Sequence, residues 1–125
     1  MAISNQLITD TINKIAAIQG IAMDPDHLVD DVVLVAYVFD EEEVFKKAIN
    51  QIVNSLNLII QKRSIGQPLV GNLAGWFSFH FQSQRINRHP ADLRIVYKDN
   101  TIIIEVHGFG HRHLPNDFYK RLYPR

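Results

Sequence analysis

Residues 93–113 read Leu93-Arg94-Ile95-Val96-Tyr97-Lys98-Asp99-Asn100-Thr101-Ile102-Ile103-Ile104-Glu105-Val106-His107-Gly108-Phe109-Gly110-His111-Arg112-His113, and the fold turns on how they are read. Leu93 to Tyr97 and Thr101 to His107 are rich in β-branched and aromatic residues, which fit a pleated, half-buried surface. They predict two strands joined by a tight turn around Asp99-Asn100, residue types that tolerate positive φ. Upstream, Trp76-Phe77-Ser78-Phe79-His80-Phe81 alternates and predicts a third strand, with a polar loop over 83–92 between. Downstream, Pro115 opens a short helix through Leu122. The last third is therefore expected to be a three-stranded antiparallel meander followed by a helix.

The first half has a different pattern. Leu7, Ile8, Ile12, Ile15 and Ala16 recur at helical spacing behind Ser4, a good N-cap, and Gly20 ends a helix over 4–19. Asp24-Pro25-Asp26 is expected as a loop. The run Val32–Phe39 fits a strand covered on both faces, with a buried helical turn the other possibility. Asp40 is expected to cap a helix running to about Lys62, broken near Asn54–Asn57, with Glu41, Glu42 and Glu43 against the positive end of its dipole. These carboxylates are read as capping and solvation rather than catalysis. Gly66 and Pro68 close the segment. The fold class is α+β: a small antiparallel sheet with helices packed on one face, the other face left for a ligand.

A chain of 125 residues fits a single domain, 1–125, without a linker or repeat. It has no cysteine, which excludes disulfides and thiolate metal sites. Met1–Gln6 has no basic stretch before an apolar one, and Val32–Phe39 is shorter than the ~20 residues that span a bilayer. A cytoplasmic protein without membrane association is expected. The formal net charge is zero, yet residues 1–61 carry three bases and nine acids (−6), and residues 62–125 carry ten bases and four acids (+6). A basic half fits a polyanionic partner, and equally fits pairing between the two halves of the fold.

Three histidines (His107, His111, His113) and Arg112 fall within seven residues, and His80 and Arg94 lie on strands expected to be neighbours. His111-x-His113 has the spacing of some metal ligands, but Arg112 stands between them and no carboxylate partner is obvious, so no metal and no cofactor is expected. The other chemistry is metal-independent RNA cleavage, in which a ribose 2′-oxygen attacks its own phosphate. That reaction needs a base, an acid and fixed cations, which histidine and arginine supply.

Four segments resemble the RelE/ParE superfamily of type II toxins. Gly66–Gly75 resembles the glycine-bearing turn before the first meander strand, and Asp92-Leu93-Arg94-Ile95-Val96-Tyr97 the second strand. Ile102–Arg112 resembles the last strand, ending in Gly-His-Arg, and Asp117-Phe118-Tyr119 the closing acidic residue and tyrosine. The likeness spans about 33–122 and is specific over 66–122. It divides the chain into an N-terminal helical extension (1–30) and a toxin core (31–125).

The resemblance implies a ribosome-dependent mRNA endoribonuclease, with a cognate antitoxin and ribosome-bound mRNA as partners. His80, Arg94, His111, Arg112, His113 and Tyr119 would be catalytic. Ser78 and Asp92 would support them, and Lys62, Arg63, Arg85, Arg88, Lys98, Lys120 and Arg121 would contact RNA. Ser78 and His80 stand where RelE itself has two lysines, which places the chain nearer the histidine-using YafQ/YoeB-like branch. The missing lysines leave open a ParE-like gyrase inhibitor, and the neutral charge and the extension leave open a RelE-like binding protein without toxicity. Oligomeric state is not legible.

Overall fold

The computed structural model describes residues 2–125. Ser4 Oγ accepts the Leu7 amide at 3.1 Å and starts α1 (Asn5–Ala16). Gly20, at φ +99°, then turns the chain into a short strand, β1 (Ile21–Met23). Three residues are too few to leave an alternating pattern, so β1 has no signature in the sequence.

Asp24-Pro25-Asp26 is a helix start, not a loop. Asp24 Oδ1 accepts the amides of Asp26 (2.9 Å) and His27 (3.3 Å), and Pro25 occupies the first turn, where its missing N–H costs nothing. The helix that follows, α2 (Pro25–Val38), absorbs the run expected as a strand. Leu28, Val32, Val35 and Ala36 are buried at helical spacing, while Val29 and Tyr37 are exposed. An unbroken apolar run hides its own period, and the cap in front of it decides the outcome.

Helix α3 (Glu42–Gln61) runs its 20 residues without the expected break. Asn54 and Asn57 sit on its outward side, while Ile52, Leu56 and Ile59 continue the buried stripe. Its N-cap residue is Glu41, not Asp40, and makes no side-chain cap bond. Glu42 and Glu43 still lie in the first turn, where the dipole favours them.

The sheet has five strands in the order β1-β5-β4-β3-β2. The expected meander is its centre: β3 (Phe77–Phe81), β4 (Leu93–Asp99) and β5 (Ile104–His111), all antiparallel. Two short strands flank it, β2 (Gln67–Pro68) antiparallel to β3 and β1 parallel to β5, so the sheet is mixed rather than wholly antiparallel. The fold is α+β, with helices packed on a small sheet. Leu93, Ile95 and Tyr97 face α1, α2 and α3 in one hydrophobic cluster that includes Ile3, Ile8 and Ile15. The 30/31 division thus falls inside α2, and residues 3–23 supply core and an edge strand. On the opposite face Val96 and Leu73 pack beneath α4 (Phe118–Leu122), started by Asp117 rather than by Pro115.

The β4–β5 turn is longer than expected. Asn100 and Ile103 pair by backbone, and the positive φ (+72°) falls on Thr101 rather than on Asp99 or Asn100. Arg63 holds this unusual conformation by donating to the Asp99 carboxylate and to the Thr101 carbonyl. No helix among the described residues is long and apolar enough to cross a membrane.

Beyond Met23, β1 no longer covers the edge of β5. The buried Asp31 of α2 takes over: its Oδ2 accepts the Phe109 amide at 3.0 Å. Arg121 and Arg125 donate to the same carboxylate (2.6–3.1 Å) and also to the carbonyls of Phe109 and His107. Removing one partner of a buried charge cluster leaves the others unpaired, at a cost of about 3–5 kcal/mol. Asp31→Ala is expected to lower unfolding free energy by that order in urea titrations. An effect within ~0.5 kcal/mol would show the cluster to be dispensable.

Candidate active site

The sheet's second face, opposite the three long helices, collects the polar side chains. In β3, Phe77, Phe79 and Phe81 turn to the core, so Ser78 and His80 turn away from it. In β4, Arg94, Val96 and Lys98 do the same. Register then sets the neighbours: His80 is directly opposite Arg94, and Ser78 opposite Val96. Across β5 the partners of Arg94 and Val96 are Gly110 and Gly108.

Those two glycines admit α4. A Cβ on Gly108 would lie 2.5 Å from Leu122 Cδ2 and 2.8 Å from Arg125 Nη1, and one on Gly110 would lie 2.9 Å from Arg121 Nη2. With Phe118 and Leu122 seated on Val96, Tyr119 reaches over β3. Its phenolic oxygen is 2.9 Å from Ser78 Oγ and 3.1 Å from His80 Nε2. Ser78 is buried, whereas His80 is open to solvent.

Although the residue reaches solvent, partial desolvation of its ring, and then the Arg94 cation opposite, push the His80 pKa below its ordinary value of 6.5. His80 is therefore neutral at pH 7, with one nitrogen free to take a proton. Arg94 is held by the carbonyls of Ala91 and Leu93, and its buried Nε–H has no acceptor. The arrangement is an accessible neutral imidazole, a half-buried phenol braced by the buried Ser78 hydroxyl, and a fixed cation on one face, which suits proton transfer beside an anion.

No protein-family model, curated protein or solved structure matches this chain.

Of the expected catalytic residues, the structure brings together His80, Arg94 and Tyr119, with Ser78 as their support. It places His111 elsewhere. His111 pairs with Leu93, lies on the helix side and packs near Phe39 at 6.1 Å between ring centroids. Its Nδ1 accepts the amides of His113 and Leu114, and burial lowers its pKa. It organises the loop after β5. His113 is exposed on that loop, and Arg112 has a buried Nε–H without an acceptor.

Asp92 is also set apart. It accepts the Ser83 amide (2.8 Å), the Ser83 hydroxyl (2.7 Å) and His89 Nε2 (3.3 Å), which clamps the 83–92 loop. Ser83 is fully buried, so this Ser–His–Asp group is no exposed nucleophile.

Among the expected RNA contacts, Lys62, Arg85, Arg88 and Lys120 are exposed. Arg63 is bound to Asp99 and Arg121 to Asp31. Lys98 lies 4.4 Å over Trp76, whose ring stacks on His107 at 4.2 Å. That stack was missed because Trp76, Lys98 and His107 are distant in sequence. His107 donates from Nε2 to the Leu122 carbonyl and so also helps seat α4. Among the described residues, no three histidine, aspartate or glutamate side chains converge to hold a metal ion.

Gly108→Ala places a methyl where the Leu122 and Arg125 side chains pack, and must displace those side chains and loosen the seat of α4. Overpacking of this kind costs about 1–3 kcal/mol. We expect that loss in thermal unfolding, together with detachment of Tyr119 from His80, read as a shift of the His80 ring resonances. Unchanged resonances would show α4 to be seated independently of the glycine.

Proposed function

We propose that the protein is a metal-independent endoribonuclease toxin of RelE/ParE type, acting on mRNA at the ribosome and held in check by an antitoxin. The observation that carries this is the hydrogen-bonded trio of Ser78, His80 and Tyr119 beside Arg94, on the sheet face left open by the long helices. Arg94 and Tyr119 were singled out by two independent segments of the resemblance, and they occupy the same face.

The geometry gives each group a task. Neutral His80 takes the proton from the ribose 2′-hydroxyl, and the 2′-oxygen bonds to phosphorus. As the bond to the 5′-oxygen breaks, the Tyr119 phenol donates a proton to that leaving oxygen. The products are a 2′,3′-cyclic phosphate and a 5′-hydroxyl. Protonated His80 then returns its proton to Tyr119 across their 3.1 Å contact, which restores both groups. Ser78 orients the phenol, and Arg94 stabilises the charge that develops on the phosphoryl oxygens. Exposed Arg85, Arg88, Lys62 and Lys120 hold the RNA backbone without reading its sequence.

Tightly controlled induction in a bacterial host, with growth and primer extension on abundant mRNAs followed together, tests the proposal. Rapid arrest with cuts inside translated codons is expected. His80→Ala should reduce cleavage by about 10²–10⁴-fold, and Arg94→Ala by about 10²–10³-fold. Arrest without cuts, accompanied by a DNA-damage response, would point instead to gyrase, and no arrest to a binding protein. The pH dependence has a definite sign. The base works unprotonated and its pKa is lowered, so cleavage should be level through neutral pH and fall only at a pH below 6.5. An acid limb at or above neutrality would exclude His80 as the base.

A further inference from the structure

A groove of about 620 Å³ runs between α3 and the outer edge of β3, and His80 stands on its rim. It exists because β2 is short. Gln67 and Pro68 pair only with Ser78 and Phe77, so Phe79–Phe81 have no strand outside them, and α3 forms the facing wall. Phe79 and Phe81 are half-buried, with rings near parallel (16°) and centroids 5.8 Å apart. Gln51 and Asn54 bring planar amides from α3, and the exposed Arg85 closes the far side. Gln82 spends its amide nitrogen on the carbonyls of Ile86 and His89, which leaves its carbonyl oxygen as an acceptor.

An aromatic floor takes the face of a flat heterocycle, primary amides pair with its donor and acceptor edge, and an arginine takes a phosphate. We infer that this groove is a nucleobase pocket, which holds the base next to the scissile phosphate and sets the sequence preference of cleavage. The inference rests on the RNA-cleavage reading, since continuity with His80 is what places the bound base beside the cut. A carboxamide both donates and accepts, so Gln51 and Asn54 can tell base edges apart, whereas the arginines and lysines of the open face cannot. An added peptide strand along the free β3 edge is the competing occupant. It would use backbone groups and would leave the Gln51 and Asn54 amides without a role.

Two measurements separate this inference from the reading beneath it. In the first, the four ribonucleoside 3′-monophosphates are titrated into the full chain labelled with ¹⁵N. The side-chain amide resonances of Gln51 and Asn54 are expected to shift, more with one base than with the others. In the Gln51→Ala/Asn54→Ala variant, affinity for that nucleotide should fall roughly tenfold, the loss of about one good base contact. In the second, cut sites are mapped in cells for wild type and for Asn54→Asp, which removes the amide donor on an exposed helix position. The variant's cuts are expected to be fewer and to change in base preference. Cutting with unchanged preference, or nucleotides that leave the Gln51 and Asn54 amides unmoved, would overturn the pocket while leaving the nuclease intact. Base-selective amide shifts without any cutting would overturn the nuclease and leave a nucleotide-binding groove.

Discussion

One carboxylate ties the molecule together. Asp31 is fully buried on α2, yet it is bonded to the backbone of β5 and to two arginines from the C-terminal segment. An isolated charge at that depth would be strongly unfavourable, and the site exists because each oxygen has more than one donor. It also solves a problem of the sheet. β5 outruns its parallel neighbour β1 at Met23, and an uncovered strand edge invites pairing with another chain. Asp31 takes the orphan amide, and Arg121 and Arg125 take the adjacent carbonyls. The C-terminal segment is thereby fixed across the second face, and the position of Tyr119 follows from it.

This arrangement also resolves part of the charge asymmetry. Two of the ten bases of the second half share one acid of the first, which offsets one of their two charges, so pairing between the halves is real at one point. Among the described residues the other Lys and Arg ion pairs stay within their own halves: Lys46 with Glu42 and Glu43, and Arg63 with Asp99. The exposed cations Lys62, Arg85, Arg88 and Lys120 have no acid among these pairs, and the second half keeps a basic surface suited to a polyanion.

The sequence was legible where pattern and local chemistry agree. Alternation in 76–81 and the β-branched run of 93–97 located the central strands, and the Ile12/Ile15 spacing located α1. It was misleading at Val32–Phe39, where unbroken hydrophobicity carries no period and the decisive signal was the Asp24-Pro25 cap just upstream. It was silent on β1 and β2, which at three and two residues are too short to carry a pattern, and β1 pairs with a strand more than eighty residues away. Likewise, Ser78, His80, Arg94 and Tyr119 could be nominated from local resemblance, but the role of Asp31 could not, since its three partners lie 78–94 positions away. Gly108 and Gly110 were visible as glycines. That they admit a helix is a property of register.

The same distinction sorts the histidines, which composition alone treats as equals. What separates them is where each ring nitrogen is used. His111 gives its Nδ1 lone pair to two backbone amides, so protonating that atom would open the loop it holds. His107 is committed through Nε2 to the Leu122 carbonyl and through its ring face to Trp76. His89 is tied by Nε2 to Ser83 and Asp92 in the loop clamp. Each of these contacts makes a proton part of the fold, and a group in that position cannot exchange its proton without structural cost. His80 differs in kind: its partner is a phenol, which can both give and receive, and partial desolvation, then the cation opposite, lowers its pKa. The half-buried His27 and the exposed His113 have no ring nitrogen committed among the described residues either, but neither belongs to the Ser78–Tyr119 group. Of the histidines bonded into the fold, His80 is the one whose proton can move without opening a loop or a helix seat, on the face that α4 borders.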